Sequence, residues 1–180
     1  MEPTNGVHPL WTLLLAGYTW VVALVSINVV RDGAYGVPLV LALLGLGAMN
    51  FMDVADRAGL PRAVLVFPLL VYLSVFGVVY SEAHTAFLAH SCLARQACRD
   101  DDGESRPVLV GLAASAVFLA RLDSVFYVGA FMVWYAVRHR SLSKAAKMVC
   151  ACAGPACLYV GVNLLYFGGA APISGYLKST

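Results

Sequence analysis

The sequence predicts an all-α fold, a polytopic transmembrane helical bundle of about seven helices that forms a single domain over residues 1–180. Two observations predict it. Hydrophobic residues make up 61% of the chain and charged residues only 12%, which is about half the charged fraction of a soluble domain. Several charge-free runs also approach the length of about 20 residues that a membrane-spanning helix needs. The longest strongly polar stretch, Arg95 to Arg106, has twelve residues and is too short for a soluble catalytic domain.

Apolar runs define the helices in order. Leu10–Val30 has 21 residues, which exceeds the apolar part of a signal peptide, and no clear small-x-small cleavage site follows it. Gly36–Met52 and Ala63–Tyr80 have spanning length, and Met148–Gly169 is free of charges. The predicted helices lie near residues 10–30, 36–52, 63–80, 83–95, 107–120, 124–137 and 148–169.

Two topologies compete for the region after Ser81. If Pro107–Val137 is one helix, it has 31 residues, the chain crosses five times, and the Lys and Arg residues divide six to six. If the chain turns at Arg121–Asp123 and Ala83–Ala94 also crosses, there are seven passes and the division is nine inside to three outside. Because basic residues concentrate in cytoplasmic loops, the seven-pass arrangement is favoured, with the N-terminus cytoplasmic and the C-terminus outside.

The turn at Arg121 joins two short helices. Fourteen residues each in Pro107–Ala120 and Ser124–Val137 give a helix only about 21 Å long, against a hydrocarbon core of about 30 Å. The junction is therefore expected to lie in a recess below the outer surface, because unsatisfied backbone groups are costly in lipid. Gly111 and Ser115 have the small-xxx-small spacing that lets helices approach closely.

Ionisable residues at membrane depth are the candidate site residues. Arg121 and Asp123 either line the recess and bind a charged or polyhydroxyl ligand, or pair with each other to fix the turn. Glu82 is expected to face the same recess, where its carboxylate either accepts a proton or simply ends a helix at the interface.

Other polar segments are interpreted more simply. The acidic run from Arg99 to Glu104 is expected to be a solvated loop, and Trp134 and Tyr135 are expected in the inner aromatic belt. A net charge of +2 gives no basic field for nucleic acid. The five cysteines are an odd number, which argues against a disulfide framework. Cys150 and Cys152 lack a nearby His or acidic partner, so neither a metal nor a cofactor is expected.

Two segments carry a resemblance to a known family. The stretch from Asn163 through Tyr166-Phe167-Gly168 and Pro172-Ile173-Ser174-Gly175 to Lys178-Ser179 resembles a motif of bacterial polytopic glycosyltransferases of the GT-C class. Phe118–Asp123 resembles the Arg-x-Asp turn that such enzymes carry between two short helices. The two segments cover about a quarter of the chain. The resemblance implies an enzyme in membrane lipid that takes a polyprenyl-phosphate sugar as donor at the outer face.

The resemblance also implies roles for individual residues. Arg121, Asp123, Ser174 and Lys178 are expected to bind the substrate, with Ser174 and Lys178 on the donor phosphate. Otherwise Lys178 simply extends to the interface near a terminus. Catalytic acids of the family lie in a long first outer loop, where this chain has only Asp32, and Glu82 is the other candidate.

The chain departs from the family in length. The loop around Asp32 is only five residues, Arg31 to Tyr35, and family members are longer at both ends. The sequence is therefore expected to be the middle of such an enzyme, or a split or degenerate relative. The alternative is a small non-enzymatic multipass protein, a transporter half or an assembly subunit with a partner membrane chain. An inverted repeat would favour a transporter, but the two halves of the sequence show no convincing similarity to each other.

Overall fold

The described part of the chain is almost entirely helical. The structure, a computed structural model, describes residues 9–25, 36–61, 81–101 and 106–168. These ranges contain six α-helices and one short 3-10 helix, Leu122–Ser124, and no strand. The helices are α1 (Pro9–Val25), α2 (Gly36–Arg57), α3 (Ser81–Asp101), α4 (Pro107–Ala120), α5 (Val125–His139) and α6 (Leu142–Phe167).

The shortest helix, α4, forms the centre of the bundle. Its sequence is apolar on all sides, as is typical of a helix surrounded by protein or lipid. It packs mainly against α3 and α6, and Val110, Ala114, Val117 and Ala120 are completely buried. The core continues into α5 and α6 through buried Val128, Tyr135, Met148 and Cys152.

Small residues allow α4 and α6 to approach closely. A side chain at Gly111 would collide with the backbone carbonyl of Met148 and lie 2.8 Å from Cβ of Ala151. Ser115, one turn further along α4, is 1% exposed. The predicted close helix contact is confirmed at Gly111, and Ser115 is buried.

Contacts between helices fix their directions. Gly47 lies against Phe87, and Asp53 binds Arg95, so α2 and α3 run the same way. The contacts His90–Tyr127 and Asp100–Tyr135 show that α5 runs the same way too. The C-termini of α2, α3 and α5 therefore meet at one end of the bundle, where α4 and α6 begin. We call this the basic end, and the end containing Arg121 the opposite end.

Several predicted helix boundaries need correction. The predicted helix 83–95 spans Ser81–Asp101, because its polar C-terminal turns pack against neighbouring helices. The predicted helix 36–52 continues to Arg57, and 124–137 becomes Val125–His139. By contrast, α4 has the predicted bounds of Pro107–Ala120.

The last helix begins earlier than predicted, at Leu142 rather than Met148. Ser141 caps it by accepting a hydrogen bond from the backbone nitrogen of Lys144 at 3.4 Å. Lysines in the first two turns were excluded from an apolar run but are compatible with a helix. At the other end, Gly168 adopts a left-handed conformation, φ 69°, and the helix ends at Phe167, two residues before the predicted end at Gly169.

Two predictions fall wholly or partly outside the described residues. The first helix is described from Pro9 to Val25, so its predicted continuation to Val30 is not covered. The predicted helix at 63–80 lies entirely outside the described ranges.

Two described helices, α2 over Gly36–Arg57 and α6 over Leu142–Tyr166, are long and apolar enough to cross a membrane. Only 17% of the apolar window of each is buried inside the protein. Helices α1 and α4 are apolar but shorter, with 17 and 14 residues.

Candidate functional site

At the opposite end, Arg121 and Asp123 bind each other through two hydrogen bonds. Nε and one terminal nitrogen of Arg121 donate to the two carboxylate oxygens of Asp123, at 3.1 and 2.7 Å. The extended backbone of Arg121 ends α4, and Asp123 lies in the following 3-10 turn. Their side chains are 48% and 67% exposed, so the pair lies on the surface of the described structure. The pairing is present as the sequence predicted, but the predicted recess is not, because both side chains are exposed in the described structure.

The remaining predicted site residues are not brought to this pair by the described structure. Glu82 belongs to the first turn of α3, at the same end of the bundle as Arg121, but its side chain is outside the described part. Asp32, Ser174 and Lys178 lie outside the described residues. Their predicted roles in catalysis and substrate binding therefore stay predictions.

Near the basic end, one carboxylate connects three arginines. Asp53 accepts a hydrogen bond from Nε of Arg95 at 2.7 Å and another from Nε of Arg57 at 3.2 Å. Arg99 approaches the same carboxylate to 3.6 Å. Asp53 lies beyond the apolar run of α2, which ends at Met52.

An asparagine extends this cluster toward the apolar part of the bundle. Asn50, only 7% exposed, accepts a hydrogen bond from Arg95 at 2.9 Å through its side-chain oxygen. Its amide nitrogen donates to Sγ of Cys92 at 3.1 Å and lies 3.5 Å from Oγ of Ser91. The contacts join α2 to α3 over nearly two turns.

A groove opens on this cluster from the outer surface of α2. Its cavity volume is about 380 Å³. Its lining is apolar on one side and charged or polar on the other: Leu46, Met49 and Met52, then Asn50, Asp53, Asp56 and Arg95. The arrangement suits an amphipathic ligand with a charged head and an apolar tail.

A second carboxylate, Asp100, is completely buried at the basic end. It accepts a hydrogen bond from the hydroxyl of Tyr135 at 2.8 Å and another from the backbone N–H of Arg106. Nε2 of His139 lies 3.2 Å from the same oxygen that Tyr135 contacts. The Tyr135 and His139 rings pack with centroids 4.3 Å apart. This network, which we call the Asp100 cluster, joins the end of α3, the start of α4 and the end of α5.

The Asp100 cluster corrects two sequence interpretations. The sequence predicts Asp100 in a solvated acidic loop, but it lies in α3 and is 2% exposed. The sequence predicts Tyr135 in the inner aromatic belt, but it is fully buried. One signal could have identified the cluster: an aspartate in the last turn of a helix opposes the helix dipole, so it needs a partner elsewhere. The spacing of Tyr135 and His139, four residues apart on one helical face, provides that partner.

Basic residues in the described ranges are strongly segregated. Eight lie at the basic end and one, Arg121, at the opposite end. The eight basic residues at the basic end are Arg57, Arg95, Arg99, Arg106, Arg138, Arg140, Lys144 and Lys147.

Within the described ranges, no group of three or more His, Cys, Asp and Glu side chains is arranged to hold a metal ion.

The comparisons with known proteins leave the family open. The chain matches no family model, no curated protein sequence and no solved structure.

Proposed function

We propose that the chain is a multipass membrane protein that binds a lipid-linked, phosphate-bearing sugar at the opposite end of its bundle, in the manner of a GT-C glycosyltransferase. The basic end faces the cytoplasm and the Arg121–Asp123 pair faces outward. The observation that carries the orientation is the division of basic residues, eight to one, between the two ends.

The outer surface of the helices supports membrane residence. A core helix of a soluble protein is mostly buried, whereas the apolar windows of α2 and α6 are only 17% buried. Large apolar side chains are fully open to the surroundings on several helices, for example Phe126 at 87% and Leu165 at 84% exposure. A surface this apolar is unfavourable in water and favourable in hydrocarbon.

The geometry of the Arg121–Asp123 pair supports contact with an anionic ligand. Two of the five guanidinium N–H groups of Arg121 are directed to Asp123. The carboxylate thus holds the guanidinium in a fixed orientation at the end of α4, and arginine recognises phosphate through such paired donors. Ser174 and Lys178 are proposed to complete the phosphate contact, as the family resemblance implies.

Topology is the first test. A cysteine introduced at Asp101, in a background without the five native cysteines, should react with an impermeant thiol reagent only from the cytoplasmic side. One at Ser179 should react only from outside. Labelling of both from the same side would contradict the seven-pass arrangement.

Ligand binding is the second test. Wild type, Lys178→Ala, Lys178→Arg and Arg121→Ala are reconstituted in nanodiscs, and polyprenyl-phosphate binding is measured. Alanine at either position should weaken binding by about tenfold or more, as expected for a lost charge-assisted hydrogen bond, while Lys178→Arg retains it. Lys147→Ala, which removes a cation from the basic end, is the matched control. Absence of binding to the wild type, or equal binding by Lys178→Ala, would exclude the proposed ligand.

One observation favours a second function, a non-enzymatic subunit of a membrane assembly. Both oxygens of Asp123 are already bound by Arg121, so the pair is satisfied without a ligand and can act simply to fix the turn. In that case, the exposed apolar faces of α5 and α6 would contact a partner membrane chain. Copurification of a stoichiometric partner, together with absent polyprenyl-phosphate binding, would favour this function.

A further inference from the structure

We propose that the groove between α2 and α3 at the basic end binds an anionic phospholipid. The phosphate of the lipid accepts hydrogen bonds from Arg95 and Arg99, and one acyl chain of the lipid lies along Leu46 and Met49. The inference rests on the membrane residence proposed above, but it concerns the end of the bundle away from Arg121. It requires neither a sugar donor nor catalysis.

Unused hydrogen-bond donors point to an anion. Arg95 has five N–H groups, and the described structure uses two of them, one for Asp53 and one for Asn50. Nε of Arg99 is buried without a hydrogen-bond partner among the described residues, and a terminal nitrogen of the same side chain lies 3.6 Å from the carboxylate of Asp53. The two arginines are one helical turn apart, so both can reach the same phosphate group.

The acidic residues of the groove do not cancel this charge. Among the lining residues, Asp53 and Asp56 carry two negative charges and Arg95 carries one positive charge. Arg57 and Arg99 do not line the groove, but both contact Asp53 and add two positive charges beside it. Asp53 is engaged through both oxygens and fixes Arg95 in place. A guanidinium that is already held loses less conformational entropy when it binds a ligand.

The opposite wall of the groove suits an acyl chain. Leu46 is 52% exposed and Met49 is 67% exposed, and both lie on the side of α2 that leads away from the charged residues toward the middle of the helix. The charged head and apolar wall are thus arranged in the order in which a lipid of the cytoplasmic leaflet presents its phosphate and its chain. Basic pockets on that side of membrane proteins attract anionic headgroups.

The test compares lipids and variants in detergent micelles. Binding of phosphatidylglycerol and of phosphatidylcholine is measured by native mass spectrometry, with inorganic phosphate as a competitor. Arg99→Gln removes one donor without breaking the Asp53–Arg95 contact. Lys147→Gln, on α6 at the same end, removes the same charge away from the groove. Arg95→Lys keeps a cation beside Asp53 but loses the forked donors, and it provides a second variant if Arg99→Gln does not fold.

Wild type should prefer phosphatidylglycerol, and Arg99→Gln or Arg95→Lys should reduce that affinity by about tenfold, the effect of one lost charge-assisted hydrogen bond. Lys147→Gln should leave it unchanged. Equal affinity for both lipids, or equal losses in Arg99→Gln and Lys147→Gln, would overturn the proposal. Displacement by millimolar inorganic phosphate would assign the site to a free anion instead of a lipid. Carbonate extraction of the wild type tests membrane residence separately, so the two proposals can fail independently.

Discussion

The two ends of the bundle use the same kinds of charged residue in different surroundings. At the basic end, the Asp100 side chain is fully buried and has partners on α5 and at the start of α4. At the opposite end, Asp123 is 67% exposed and its partner Arg121 is two residues away in sequence. The first carboxylate joins distant segments, whereas the second joins only the residues of one turn.

The difference in burial separates a charge that holds helices together, Asp100, from a charge that a ligand can reach, Asp123. A buried carboxylate is strongly unfavourable unless its partners are present, so the Asp100 cluster selects the arrangement in which α3, α4 and α5 meet. An exposed ion pair contributes little to stability, and therefore it can change partners when a ligand arrives. We infer that the basic end specifies the assembly of the helices and that the opposite end can interact without disturbing it.

The largest expected effect follows from removing the buried carboxylate. Asp100→Ala leaves the Tyr135 hydroxyl and the Arg106 N–H without their acceptor. We expect the free energy of unfolding to fall by about 3–5 kcal/mol, the range for breaking a buried charged network. Equilibrium unfolding in mixed detergent micelles measures it. Asp123→Ala is the matched control at the opposite end, and similar losses in the two variants would contradict the comparison.

A smaller effect is expected from one hydrogen bond of the same cluster. Tyr135→Phe keeps the ring but removes the hydroxyl that donates to Asp100. The expected destabilisation is about 1.5–3 kcal/mol, as for a hydrogen bond to a charged group. Tyr127→Phe makes the same chemical change on α5 at a side chain that is 51% exposed. A loss no larger in Tyr135→Phe than in Tyr127→Phe would show that the buried hydroxyl does not matter to stability.

The smallest effect is expected at the opposite end. Because Arg121 and Asp123 are largely exposed, each alanine variant should lose less than about 1 kcal/mol of stability. The double variant should lose less than the sum of the singles, with a coupling of about 0.2–1 kcal/mol. The same unfolding titration measures all three. A coupling of several kcal/mol would mean that the pair is buried, as expected if it lay in the recess that the sequence predicts.

The sequence predicted features that depend on local pattern. The bounds of α4 followed from Pro107 at its first position and the charge at Arg121 after its last, and the turn itself followed from Arg121 and Asp123. The close approach at Gly111 followed from small-residue spacing. Each of these signals lies within a few residues of the structure that it predicts.

The errors arose where distant packing decides the structure. The polar residues from Gln96 to Asp101 have the composition of a loop, yet they continue α3 because α2 and α5 supply partners for them. The Asp53–Arg95 contact joins residues 42 positions apart, and no local pattern contains that pairing. Helix α2 carries the acidic Asp53, and α3 carries the basic Arg95 and Arg99 one turn apart, so the two helices have opposite charges that can pair. The sequence does not show which of these residues meet, because the register of the two helices is fixed only when they pack.

The order of synthesis gives the Asp100 cluster a consequence for biogenesis. Asp100 and Tyr135 are 35 residues apart, and chains grow at about 5–20 residues per second, so the aspartate precedes its tyrosine partner by about 2–7 seconds. During that interval, the Asp100 carboxylate lacks the hydrogen bond that the Tyr135 hydroxyl donates to it. In the membrane arrangement proposed above, we expect α3 to remain near the aqueous face or the insertion machinery until α5 is complete. We expect the final docking of α3 and α5 to follow translation of Tyr135 and His139, the partners of Asp100.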